Sequence, residues 1–71
     1  MTTNEIKKYY INWKGTTEST VLEFSENILR RCTWALRENK KINLNGKMRT
    51  GKEISIIFDQ VETLILDGIL K

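Results

Sequence analysis

The sequence predicts a small two-layer α+β domain. Three mainly antiparallel strands form a sheet packed on one long helix, in the order β-α-β-β, with a short C-terminal helix or strand. Three observations predict it. Glu18 to Asn39 carries apolar residues at helical spacing with no Pro or Gly. Glu5 to Lys14 alternates Tyr9, Ile11 and Trp13 with Tyr10, Asn12 and Lys14, the pattern of a strand with one buried face. Ile42, Leu44, Gly46 and Met48 alternate with Asn43, Asn45, Lys47 and Arg49 in the same way.

The helix organises the rest. At about 100° per residue, Val21, Leu22, Phe24, Ser25, Ile28, Leu29, Cys32, Ala35 and Leu36 fall within one arc of roughly 160°. Glu23, Glu26, Asn27, Arg30 and Arg37 fall opposite. Thr20 and Glu23 have capping-box spacing. Glu18, Glu23 and Glu26 come early and Arg37, Lys40 and Lys41 late, which suits the helix dipole. Trp34 breaks the pattern, sitting on the polar face between Arg30 and Arg37. Either a second layer covers it, or it is an exposed Trp flanked by Arg, the composition of a binding hot spot or a dimer seam.

Two turns compete to join the later strands. Asn45-Gly46 is the stronger tight-turn dipeptide, but its register sets Leu44 opposite Lys47 and Asn43 opposite Met48. A loop at Thr50-Gly51-Lys52 sets Arg49 opposite Glu53, Met48 opposite Ile54 and Leu44 opposite Phe58, which keeps the faces together. The second is preferred, with Gly46 as a flattened or bulged point. Ile54, Ile56 and Phe58 then belong to the third strand. Asp59 and Glu62 have capping spacing, and Val61, Leu64 and Ile65 make a short stripe, so a helix ending near Asp67-Gly68 is favoured over a strand at Thr63–Leu66. No repeat or linker divides the chain, and residues 1–71 read as one domain.

Tyr9-Tyr10-Ile11-Asn12-Trp13-Lys14-Gly15, followed by Glu26-Asn27-Ile28, resembles the strand core of chromodomains, a family that binds methylated lysine in an aromatic cage. The resemblance covers residues 9–28. Thr16 and Thr17 stand where that family places a cage aromatic, and no Trp-Glu-Pro follows. No function is transferred from it.

The chain has no histidine, so Ser-His and Cys-His arrangements are impossible and the commonest metal ligand is absent. It has no P-loop and no Gly-x-Gly-x-x-Gly. The pairs Glu23/Glu26 and Asp59/Glu62 read as helix caps and solvated surface. The expectation is a non-enzyme with no cofactor and no metal. Cys32 is the only cysteine, on the apolar arc, which suits a buried thiol and a reducing compartment. No apolar run approaches the ~20 residues of a membrane span, and Met1–Ile6 does not open a signal peptide. A cytoplasmic protein with no membrane partner is expected.

The net charge of +3 conceals an asymmetry. Arg30, Arg31, Arg37, Lys40, Lys41, Lys47, Arg49 and Lys52 face one acid, Glu38, so residues 30–52 carry +7 and the remainder −4. Such a segment suits an acidic protein surface or nucleic acid. The candidate partner-binding residues are Trp34, Arg30, Arg37, Arg31, Lys47, Arg49 and Lys52. The expected function is an inhibitor or adaptor of a cytosolic protein, of the kind phages and mobile elements direct against host machinery. The alternative is a small nucleic-acid-binding regulator. A homodimer fits either.

Overall fold

The computed structural model describes residues 1–15 and 20–71. Thr16, Thr17, Glu18 and Ser19 lie outside the described residues, and with them the expected helix start at Glu18. The elements are α1 (Thr3–Lys14), α2 (Val21–Glu38), β1 (Ile42–Leu44), β2 (Lys47–Arg49) and α3 (Gly51–Leu66). This corrects the expected class. The described chain is three helices with one two-stranded antiparallel sheet, not a three-stranded sheet on one helix.

The expected first strand is a helix. Ile6, Tyr9, Tyr10 and Trp13 stand at i, i+3, i+4 and i+7, and this longer period overrides the local alternation. Ile6, Tyr9 and Tyr10 are buried, whereas Ile11, placed inside by the strand reading, is 64% exposed. Thr2 caps α1: its hydroxyl accepts from the Glu5 N–H and the Glu5 carboxylate accepts from the Thr2 N–H. The rings of Tyr9, Tyr10 and Trp13 gather round Phe24 of α2, with centroids 5.1, 5.1 and 5.5 Å away. These edge and tilted contacts hold α1 against α2.

α2 begins where the Thr20 hydroxyl accepts from the Glu23 N–H and ends at Asn39, which adopts the left-handed conformation (φ 51°). It buries Phe24, Ser25, Ile28, Cys32 and Ala35. The buried arc is narrower than the apolar one, because Leu22, Leu29 and Leu36 remain exposed at its edge.

The hairpin turns at Asn45-Gly46, both at positive φ (54° and 82°), as a tight two-residue turn requires. The register is Ile42 to Arg49, Asn43 to Met48 and Leu44 to Lys47, the mixed pairing that face-matching argued against. The ladder is only three pairs long. Leu44 is buried and Ile42 half-buried, while Lys47 and Met48 remain exposed, so little apolar surface depends on the register and the turn dipeptide decides. Gly46 is therefore a turn residue, not a bulge.

Thr50 is no loop residue either. It caps α3, accepting from the Glu53 N–H while the Glu53 carboxylate accepts from the Thr50 N–H. Ile54, Ile57, Phe58, Val61, Leu64 and Ile65 follow at helical spacing, so the expected third strand is the front of a 16-residue helix. The segment after Asp59 is helical to Leu66, but as a continuation, and Asp59 caps nothing.

α2 and α3 meet at one close approach. A Cβ on Gly51 would lie 2.7 Å from Leu36 Cγ and 2.9 Å from the Leu36 backbone nitrogen. Beside this point the buried Cys32 thiol donates to the Gly51 carbonyl at 3.3 Å. Deeper in, the buried Ser25 hydroxyl donates to Glu62 Oε1 at 3.0 Å. Gln60 Nε2 donates to the Met1 carbonyl at 2.8 Å, which holds the start of α1 on α3.

Two predictions follow from these contacts. Gly51→Ala forces the helices apart against a backbone atom, and the expected loss is about 1–3 kcal/mol, read as a lowered urea midpoint. Acid acts through the caps. Hydrogen bonds from Thr2 hold Glu5, and hydrogen bonds from Thr50 hold Glu53, below the ordinary carboxylate range. A lowered folded pKa contributes stability that is present at neutral pH and lost as pH falls through that pKa. The urea midpoint is therefore expected to drop below about pH 4, and less steeply in the Thr2→Ala/Thr50→Ala variant, whose caps are already weakened.

Candidate functional site

The core occupies one side of α2, leaving the rest of its circumference to solvent. Trp34 stands there, 46% exposed, so no layer of described residues covers it. The helix fixes its position, since Ala35 and Cys32 beside it are buried against α3 and the hairpin end. The indole forms a wall between two shallow grooves. One, of about 410 Å³, is lined by Glu26, Leu29, Arg30, Thr33, Trp34 and Arg37. The other is lined by Asn27, Arg30, Arg31, Trp34 and Ile42.

Within the first groove the Thr33 hydroxyl donates back to the Leu29 carbonyl at 2.9 Å and is occupied. The open chemistry is an indole face, a leucine side chain, two guanidinium groups and the Glu26 carboxylate. That set suits an apolar anchor with charge-assisted hydrogen bonds around it. In the second groove the Asn27 side-chain oxygen is buried and accepts no hydrogen bond. A buried acceptor in that condition is destabilising, and such groups are rare.

Of the seven residues expected from sequence, Trp34, Arg30 and Arg37 come together here. Arg31 lines the second groove, but its guanidinium is engaged: Nη1 donates to the Asn43 carbonyl at 3.2 Å, tying α2 to β1. Arg49 Nε donates to the Leu44 carbonyl at 3.2 Å across the hairpin. Both are half-buried, and much of their role is to hold the hairpin down. They also face Tyr9, whose hydroxyl pKa is raised by burial against the opposing influence of these two cations. Lys52 lies elsewhere, with Lys40 and Lys41 around a concavity floored by Ala35 and Gly51. Lys47 is exposed on β2, and its charge is felt by Glu53. The +7 segment therefore divides into an α2 face, two hairpin fasteners, a lysine cluster at the end of the helix pair and Lys47 on β2.

Sequence reasoning missed Leu29, Asn27 and Ile42 as lining residues. Leu29 had a signal, because it lies near the edge of the apolar arc. Ile42 had none, since its place depends on how the hairpin folds back on α2. Among the described residues, no group of three His, Cys, Asp or Glu could hold a metal ion, and no helix is long and apolar enough to cross a membrane. Set against protein-family models, curated proteins and solved structures, the chain matches none of them.

The two kinds of residue are separable by stability. Trp34→Ala is expected to leave the unfolding free energy within about 0.5 kcal/mol of wild type, as a surface residue does. Arg49→Ala is expected to cost about 1 kcal/mol through the lost carbonyl contact. Urea titration of both variants reads the difference, and the reverse order assigns Trp34 to the core.

Proposed function

We propose that this chain is a small non-enzymatic binding protein, an inhibitor or adaptor of a cytosolic protein partner, and that it docks through the Trp34 face. One observation carries the reading. A tryptophan stands half exposed on a rigid helix, with a guanidinium group on each neighbouring turn and grooves on both sides. Trp and Arg are the residues most enriched among those that dominate binding energy. A side chain held by a helix also loses little freedom on docking.

Arg30 and Arg37 select an acidic partner surface. Their charges speed encounter and set orientation, while the indole and Leu29 supply the buried anchor. A protein surface fits this face better than nucleic acid does. Arg31 and Arg49 are engaged by hairpin carbonyls, and Lys40, Lys41 and Lys52 gather at another place on the molecule. Among the described residues, no unbroken line of free cations runs from Trp34, whereas a phosphate backbone is followed by such a line.

The test is nuclease-treated affinity purification from the native host. Wild type is expected to retain a protein partner. Trp34→Ala with Arg30→Ala should weaken that capture by at least about thirtyfold, the scale of a hot spot, and Lys47→Ala with Lys52→Ala should leave it intact. Capture of nucleic acid instead, with affinity falling steeply as salt rises, replaces the reading with the nucleic-acid one.

A further inference from the structure

α1, α2 and the hairpin each bring a polar group to one place. Arg31 of α2 and Arg49 of β2 donate to consecutive carbonyls of β1, those of Asn43 and Leu44, each at 3.2 Å. Ile42 lines a groove with Arg31 and stands opposite Arg49 in the ladder, so the Arg49 side chain leaves the hairpin on the face of Ile42. The two guanidinium groups are therefore neighbours. From α1 comes Tyr9, 8% exposed, its ring packed on Phe24 about two turns before Arg31. Both cations act on its hydroxyl, opposing the rise that burial gives its pKa.

All three groups have donors to spare. A guanidinium carries five N–H donors, and each arginine spends one of them on a carbonyl. Both arginines are half-buried, yet among the described residues neither forms an ion pair. Glu5, the carboxylate that feels Arg49, accepts from the Thr2 N–H instead. The Tyr9 hydroxyl makes no hydrogen bond to any described residue. It still reaches the surface, because Asn27 Oδ1 is the one enclosed polar atom without a partner among the described side chains. Charges drawn out of water are normally paired, and the hydroxyl of a buried tyrosine normally finds a partner.

We infer that Arg31, Arg49 and the Tyr9 hydroxyl form a binding site for a tetrahedral oxyanion of the phosphate class. Each group offers donors, which is what an anion needs. The planar fork of an arginine matches phosphate oxygens in pairs. A carboxylate is filled by one such fork, whereas a phosphate group has oxygens enough for two forks and a hydroxyl. Bound there, it supplies the missing counter-charge and ties α1, α2 and the hairpin to one another. The site does not rest on the docking reading, since Tyr9 and Arg49 line neither groove beside Trp34.

Titration of the isotope-labelled full chain with inorganic phosphate, at an ionic strength held constant with sodium chloride, tests it without any partner. Saturable shifts of the Arg31 and Arg49 Nε–H signals are expected. Tyr9→Phe keeps the ring on Phe24 and removes a hydroxyl that bonds nothing. Its urea midpoint without phosphate should therefore match wild type, while its phosphate affinity falls about tenfold. Phosphate should also raise the wild-type midpoint more than that of the variant. Arg31→Lys with Arg49→Lys keeps both charges but loses the forks, and should weaken binding at least as far. Lys40→Gln with Lys52→Gln removes as much charge elsewhere and should leave affinity unchanged. O-phosphoserine is titrated beside phosphate. Binding of either supports the site, and the tighter of the two shows whether the phosphate group arrives free or on a larger molecule. Absence of saturable shifts, acetate binding as tightly as phosphate, full affinity in Tyr9→Phe, or loss of affinity in the lysine variant each overturns the site.

Discussion

The backbone of Gly51 lies against the backbone of Leu36, and the rest of the fold accommodates that approach. It brings α3 to the last turns of α2, with the Leu36 side chain and backbone nitrogen filling the space a Cβ on Gly51 would need. The buried thiol of Cys32 and the Gly51 carbonyl then find each other at the same point. Residues 39–50 must leave α2, reverse and return within a few ångströms of where they left. A left-handed Asn39, a three-pair ladder and an Asn-Gly turn accomplish this in the space available. Arg31 and Arg49 pin the excursion by donating to its carbonyls. α1 closes the remaining side of the core by folding three aromatic rings round Phe24.

The long helix was legible because its apolar period persists through many turns and Thr20 marks its start. α1 and the front of α3 were not, and for the same reason. Tyr, Ile, Val and Phe satisfy local strand preferences, and over four or five residues their alternation imitates a pleat. What decided was the spacing across the whole segment: Ile6, Tyr9, Tyr10 and Trp13 in one case, Ile54 through Ile65 in the other. Thr50 and Glu53 were the available warning, since a capping pair stands where a loop had been placed. The hairpin shows the converse. Register dominates long strands with a buried face, but a ladder of three pairs has too little face to outweigh its turn.

The candidate site divides along a similar line. Trp34, Arg30 and Arg37 were readable because a helix assigns each residue an angle, and these three fall outside the arc the core consumes. The fates of Arg31 and Arg49 were not, because a count of charges cannot say which cations a carbonyl will occupy. The observed α2 is thus buried on one side against α1 and α3, and on its open side Leu29 and the indole line one groove.

Cys32 gives the fold a built-in clock. Its thiol is enclosed and bonded at the point where the two longest helices touch. A thiol reacts with an alkylating reagent only when it is accessible and ionised. Its labelling rate therefore measures how often the α2–α3 pair opens, and nothing has to be engineered to observe it. Opening that is faster than global unfolding would reveal α3, with the hairpin attached, as a unit that lifts from α2 while the aromatic cluster between α1 and α2 stays closed.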